Sequence, residues 1–300
     1  MKLTSPSVVA EVLRRHGLSL KRSLGQNFLV DENILAKVIS AVDPRESDCV
    51  VEFGPGIGTL TVALAPLCRR VVAIELDRSL IPVAEAHTAH FGNVTVFRAD
   101  AAKIDLKAAM ERVEPATTAA AGGGAARPWK VVSNLPYYAT SPIIVNVLFS
   151  GAPVNRLVFM VQKEVARRIV AGPGDEAYGA FSVACQYWTT PRVYSSVPRA
   201  AFMPAPEVDS AIVVMDVREE PPAGVADQAF FFKVVRASFG QRRKTLAAAL
   251  RGLFGRDSVR GALESAGIEP ARRAETLSIP EFAELARALG AEFAKGKTQC

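Results

Sequence analysis

From residue 49 the chain alternates between short apolar runs closed by turn residues and longer stretches whose apolar positions recur at helical spacing. "CVVEFG" reads as a buried strand, followed by a glycine turn and the helix "TLTVALAPL". "VVAIELD" is a second strand with the helix "SLIPVAEAHTAHF" behind it, and "VTVFRAD" is a third. "KVVSNLPY" is a fourth strand, and "RLVFMVQ" a fifth that leads into the helix "KEVARRIV". Strands alternating with helices predict an α/β fold, a mostly parallel sheet covered on both faces. The strand-like runs "FSVACQYW" and "SAIVVMDV", with no obvious helix between them, predict a terminal antiparallel pair.

"REEPPAG" (218–224) is a polar, proline-rich break and the expected domain boundary. It separates a first domain, 1–217 with a basic arm over 1–30, from a small all-α domain over 225–300. Beyond the break "DQAFFFKVVRASF", "RKTLAAALRGLF", "DSVRGALESAG" and "SIPEFAELARALG" all read as helices. The last has a defined start, since Ser278 and Glu281 have capping-box spacing and Pro280 suits a first turn. "EPATTAAAGGGAARP" (114–128) has no apolar face to bury and reads as a surface loop without chemistry.

Composition narrows the classes. With 300 residues and 49% hydrophobic content the chain can build one large core and a smaller one, yet no apolar run reaches the length that spans a bilayer. The N-terminus lacks a secretory hydrophobic region, and the scattered Cys49, Cys68, Cys185 and Cys300 show no metal or redox spacing, so a cytoplasmic protein without a metal is expected. His87 and His90 share a helical face and read as solvated. Net charge is +6, unevenly spread: residues 1–30 hold five Lys/Arg against Glu11, and residues 217–300 hold fourteen basic against ten acidic residues. A mildly acidic middle between basic ends suggests a polyanion gripped from the flanks.

Candidate chemistry gathers at strand ends. In "VVEFGPGIGTLTVALA", Gly54, Gly56 and Gly58 lie between a strand and a helix, where glycines admit a ligand close to the backbone. The spacing is GxGxG, not the GxGxxG of dinucleotide binders. Glu52 at the strand end suits a cationic amino-acid ligand better than a pyrophosphate. Glu75 closes the second strand, where a carboxylate can accept from ribose hydroxyls, and Asp100 closes the third, where it can accept from an adenine amine. Acidic residues on three successive strand ends point to a nucleoside with a positively charged tail, S-adenosylmethionine, with NAD as the alternative.

The fourth strand ends in Asn134-Leu135-Pro136-Tyr137. An exocyclic base amine is a poor nucleophile because its lone pair is delocalised into the ring. The Asn134 side-chain oxygen and a main-chain carbonyl, that of Leu135, can accept both amine hydrogens and aim the lone pair. Pro136 fixes φ and removes a competing donor, and Tyr137 offers a face for an extruded base. Transfer from a sulfonium then needs positioning more than a strong base.

With these residues in place, the chain resembles the rRNA adenine N6,N6-dimethyltransferase family over nearly its whole length. "SLGQNFLVDENIL", "VEFGPGIGTLT", "ELD", "RADA", "NLPYYATSPII", "QKEVARRIVAGPGDEAYG" and "FMPAPEVDSAIV" match its motifs in order. The resemblance implies a Rossmann-like class I methyltransferase fold, with Asn27, Leu29, Gly54, Glu75, Asp100 and Asn134 contacting the cofactor. It also implies Phe202 as a second aromatic over the target adenine. "SFGQRRKTL", with Arg242, Arg243 and Lys244, resembles the family's RNA-contacting helix start. The implied reaction dimethylates two adjacent adenosines in the loop of the 3′-terminal hairpin of small-subunit rRNA. The implied partner is an immature small subunit, met by a monomer. A large-subunit rRNA methyltransferase of the macrolide-resistance type, and a non-catalytic RNA-binding assembly factor, are the alternatives.

Overall fold

The computed structural model describes residues 2–18, 25–114, 129–241 and 243–298, with 293–298 as backbone only. Nearly all of the Ala/Gly-rich stretch therefore lies outside the described residues. Two short strands, β1 (Phe28–Leu29) and β8 (Phe202–Met203), form a ribbon of their own. A seven-stranded sheet forms from β2 (Cys49–Phe53), β3 (Arg70–Glu75), β4 (Val94–Arg98), β5 (Trp129–Asn134), β6 (Val154–Gln162), β7 (Thr189–Val197) and β9 (Ser210–Val217). Their order is β4-β3-β2-β5-β6-β9-β7. The pairs β3–β4, β2–β3, β2–β5 and β5–β6 are parallel, and β6–β9 is antiparallel. Strand β2 is buried throughout and carries the Val-rich composition that a sheet covered on both faces requires.

From β2 the chain builds outward to β3 and β4, then crosses back to lay β5 on the other side of β2. This reversal opens a crevice at the carboxyl ends of β2 and β5, the place where such sheets take ligands. Every strand-end residue singled out in the sequence points to this edge.

One expected strand is a helix. "FSVACQYW" lies in the helix Ala180–Trp188, and the strand beside β9 is β7, the segment that follows it. A short, mostly apolar run has too little periodicity to separate the two states, and Ser182, Val183, Ala184, Cys185 and Tyr187 are all buried in the helix. Strand β7 is polar and holds Pro191, a residue that an edge strand tolerates. Two helices absent from the pattern reading, Glu32–Val42 and Leu106–Val113, start at aspartate caps: Asp31 accepts from the Asn33 and Ile34 amides and Asp105 from that of Ala108.

The described chain divides into two compact units, Met1–Ala166 with Thr190–Val217, and Arg167–Thr189 with Arg218–Cys300. The second takes in the helix Ala180–Trp188, which the sequence reading left with the first. It contains the helices Gln228–Phe239, Leu246–Phe254, Arg256–Ser265 and Ile279–Thr298, around a core that includes Tyr187, Phe231, Phe254 and Phe282. The capping box at its last helix is formed: the Ser278 amide and hydroxyl both donate to Glu281 Oε2 at 2.8 Å, and the Glu281 amide donates to Ser278 Oγ at 3.4 Å. Among the described residues no helix is long and apolar enough to cross a membrane.

Candidate active site

A cavity opens at the crevice between β2 and β5, within the first unit. Asn27, Leu29, Gly54, Gly56, Glu75, Asp100, Asn134, Leu135, Pro136 and Tyr137 all line it. The glycine turn after β2 requires its residue type. Gly54, Gly56 and Gly58 have φ of 65°, 59° and 89°, in the left-handed region that side chains disfavour. A β-carbon at Gly56 would meet Phe28 Cε1 at 2.9 Å, whereas one at Gly54 would project into open space. Gly56 lets the short strand β1 close against the turn, and Gly54 leaves room for a ligand.

The Glu75 carboxylate fastens that turn. Its Oε2 accepts from the Gly56 amide at 3.1 Å and its Oε1 from the Asp77 amide at 2.8 Å. Asp77 in turn accepts from Gln26 Nε2 at 2.8 Å, so a chain of hydrogen bonds runs from the segment before β1 to the end of β3. Burial pushes the Glu75 carboxyl above its ordinary range, with the Asp77 and Gly56 amides opposing. Each carboxylate oxygen still has a lone pair for a ligand hydroxyl. At the end of β4, Asp100 accepts from the Ala102 amide at 3.0 Å and meets Lys103 at 3.6 Å.

Glu52, 2% exposed, accepts from the Thr61 hydroxyl at 2.6 Å. Burial pushes its carboxyl up to about 8, with the neighbouring Glu75 adding to the effect. A cationic ligand would relieve an acid buried in this way. Thr59, which also lines the cavity, is buried with its hydroxyl unpartnered. An orphaned hydroxyl, a desolvated acid and an open space over Gly54 are features that a polar, positively charged ligand would satisfy.

At the end of β5, Asn134 turns its amide toward β1. Its Nδ2 donates to the Asn27 main-chain carbonyl at 2.8 Å, and only the amine end of the amide can face a carbonyl. The Oδ1 is thereby left as an acceptor. Pro136 has φ −64° and precedes the short 3₁₀ turn Tyr137–Ala139. Tyr137 is half-buried and shares a 2.9 Å hydrogen bond with the Ser210 hydroxyl.

The match to known proteins is extensive. Residues 17–290 match the family model described as ribosomal RNA adenine dimethylase. The chain belongs to that family. It is an S-adenosylmethionine-dependent enzyme that dimethylates adenine in ribosomal RNA. It is 45% identical over 294 residues to ribosomal RNA small subunit methyltransferase A of Streptococcus pneumoniae, covering 96% of this chain and 98% of that one. The protein of that name from Pelotomaculum thermopropionicum is 46% identical over 287 residues, 95% and 96% of the two chains. Among solved structures, a dimethyladenosine transferase from Plasmodium falciparum superimposes with TM-score 0.72 at 24% identity, over 88% of this chain and 98% of that one. The 23S rRNA methyltransferase ErmE does so with TM-score 0.64 at 26% identity, over 88% and 100%.

Within this dimethylase Phe202 stands apart from the other predicted site residues. It lies in β8, paired with Leu29 of β1. It is 4% exposed, in a core that includes Leu29, Val197, Ala201 and Ile212. It is absent from the wall of the cavity that Asn27, Gly54, Glu75 and Asn134 line. The exposed aromatic on the wall is Tyr138, 56% exposed. In the second unit, Arg243 and Lys244 are exposed in the turn before the helix Leu246–Phe254, whose cap is Thr245, while Arg242 lies outside the described residues. Gln26, Phe28, Thr59 and Tyr138 line the cavity without having been singled out. Thr59 was open to detection, because it ends the glycine motif. His87, read as solvated, shares a 2.7 Å hydrogen bond through Nδ1 with the Ile57 carbonyl in the glycine turn.

Proposed function

We propose that this dimethylase acts on the rRNA of the small subunit, at the N6 amines of two adjacent adenosines in the loop of the 3′-terminal hairpin. In this reading it works as a cytoplasmic monomer on an immature subunit. The observation that carries the chemistry is the Asn134 amide, turned by the Asn27 carbonyl so that its oxygen is the group left to accept. An acceptor and not a base suits an amine whose proton leaves only as the new bond forms. Asn134 Oδ1 and the Leu135 carbonyl would accept the two amine hydrogens and draw the nitrogen toward a tetrahedral shape. Tyr137 would stack the extruded adenine.

S-adenosylmethionine, when bound, supplies a methyl carbon on a sulfonium sulfur. Glu75 would hold its ribose hydroxyls and Asp100 its adenine amine. Glu52 and Thr59 face the region left for the charged amino-acid end, and Asn27, Leu29, Gly54 and Gly56 complete the wall. The orphaned Thr59 hydroxyl and the desolvated Glu52 carboxyl support this fit. Arg242, Arg243 and Lys244 would contact phosphates of the RNA.

The choice of small-subunit rRNA is supported by 45% identity to enzymes so named, against 26% to the 23S enzyme ErmE. Labelled-methyl transfer to mature 23S rRNA, naked 16S rRNA and small subunits isolated before maturation tests the reading. Transfer to the subunit at two adjacent adenosines is expected, and transfer to 23S rRNA alone would overturn it.

A further inference from the structure

We propose that Ser210 is a positioning residue for methyl transfer, its hydroxyl fixing the tilt of the Tyr137 ring against which the target adenine stacks. The inference rests on the stacking role given to Tyr137 above. Topology brings the two residues together. Because β9 runs antiparallel to β6, its first residue lies at the edge where the parallel strands end, opposite Gln162 of β6. Asn134 of β5 is paired with Met160 of the same strand. The start of β9 thus reaches the methyl-transfer edge from the side opposite the cofactor strands.

The ring needs such a tether. Tyr137 opens a 3₁₀ turn of three residues, none of which is buried, so side-chain packing alone leaves its orientation loosely defined. The far end of the ring is held instead by the 2.9 Å hydrogen bond to Ser210 Oγ. Ser210 is 1% exposed and sits on a fastened segment: Asp209 Oδ1 accepts from the Arg199 amide at 3.0 Å, and the Asp209 carbonyl from the Lys163 amide at 3.0 Å. The hydroxyl is therefore a fixed point to which the phenol end of the ring is held. Burial pushes the Tyr137 phenol up, which keeps its O–H intact across the neutral range. Proper tilt matters because stacking sets where the amine stands relative to Asn134 Oδ1, and a small displacement of a reacting group costs rate steeply.

The test is a double-mutant cycle on single-turnover methylation of immature subunits at saturating cofactor. Ser210→Ala and Tyr137→Phe remove the same hydrogen bond from opposite ends, so each should slow transfer by roughly tenfold to a hundredfold, and together by no more than either alone. Cofactor affinity should not change, and Ser210→Thr, which restores a hydroxyl, should recover most of the rate. A wild-type rate in Ser210→Ala, or losses that multiply in the double variant, would overturn the proposal. If Ser210→Ala is poorly folded, Tyr137→Phe, which leaves the strand intact, decides: a wild-type rate there overturns it as well. Tyr137→Ala separates this failure from that of the stacking role, since a fast Tyr137→Ala enzyme would remove the stacking itself.

Discussion

Asn134 donates its side-chain amide to the Asn27 carbonyl at 2.8 Å, joining the end of β5 to the segment that enters β1. In the proposed reading this one hydrogen bond serves both ligands: it orients the acceptor for the target amine and holds the backbone of the cofactor wall. Asn134→Ala should depress the single-turnover rate by about 10²–10³-fold, the cost of losing one oriented hydrogen bond in a transition state. RNA affinity should change little, because the cations proposed to contact phosphates lie elsewhere in the chain. Cofactor affinity must be measured separately and saturated, since the Asn27 carbonyl loses its donor. A rate within about threefold of wild type under those conditions would reduce "NLPYY" to a turn.

Glu75→Gln is not a conservative change here. Both carboxylate oxygens accept backbone N–H groups, from Gly56 and Asp77, so an amide would set its own N–H against one of them. Loss of a charged, buried acceptor costs on the order of 2–3 kcal/mol, and cofactor affinity should drop by one to two decades in titration calorimetry. Unchanged affinity would remove Glu75 from the ribose site.

Glu52 gives a pH dependence whose sign follows from its burial. Its carboxyl is raised to about 8, so the cofactor-free fold binds a proton that the unfolded chain releases at lower pH. That contribution is fully present below the ordinary carboxylate range and is lost as pH rises through about 8. The melting temperature of the cofactor-free enzyme should fall between pH 6 and pH 9 more steeply than that of Glu52→Gln, whose amide oxygen can still accept from Thr61. Binding of a cation next to Glu52 should release a proton near pH 7, seen as a dependence of calorimetric heat on buffer ionisation. Parallel melting curves for the two proteins would show that Glu52 is ionised before any ligand arrives.

Arg243 and Lys244 precede a helix start, where the helix field opposes cations and leaves them available to an external anion. Replacing both with alanine should weaken rRNA binding. The plot of log affinity against log salt should flatten by roughly 0.7–0.9 for each phosphate that is no longer neutralised. A slope equal to wild type would mean that both are merely solvated.

The glycine turn, the acidic strand ends and "NLPY" were legible because strand–helix alternation alone fixes which sheet edge receives them. Gly54, Glu75, Asp100 and Asn134 each close a strand of one parallel sheet, so they had to meet. The burial of Phe202 was not legible in this way. Which face its ring takes is decided by pairing with Leu29, a partner remote in sequence and held in a ribbon only two residues long. Ser210 was hidden for a related reason: a serine at the start of an apolar strand shows nothing of its partner until the antiparallel register places it beside Tyr137. "FSVACQYW" was ambiguous because a short, mostly apolar run serves a buried helix as well as a buried strand.

The contact between Phe28 and Gly56 reaches past a single molecule to the descent of the sequence. A β-carbon at 56 would stand 2.9 Å from the Phe28 ring, and that ring lies in a cluster with Met203, its register partner in the β1–β8 ribbon. Positions 28, 56 and 203 are thus a linked set drawn from three distant stretches of chain. Drift at one is tolerated only alongside compensating drift at the others, so these sites should change together or not at all across lineages.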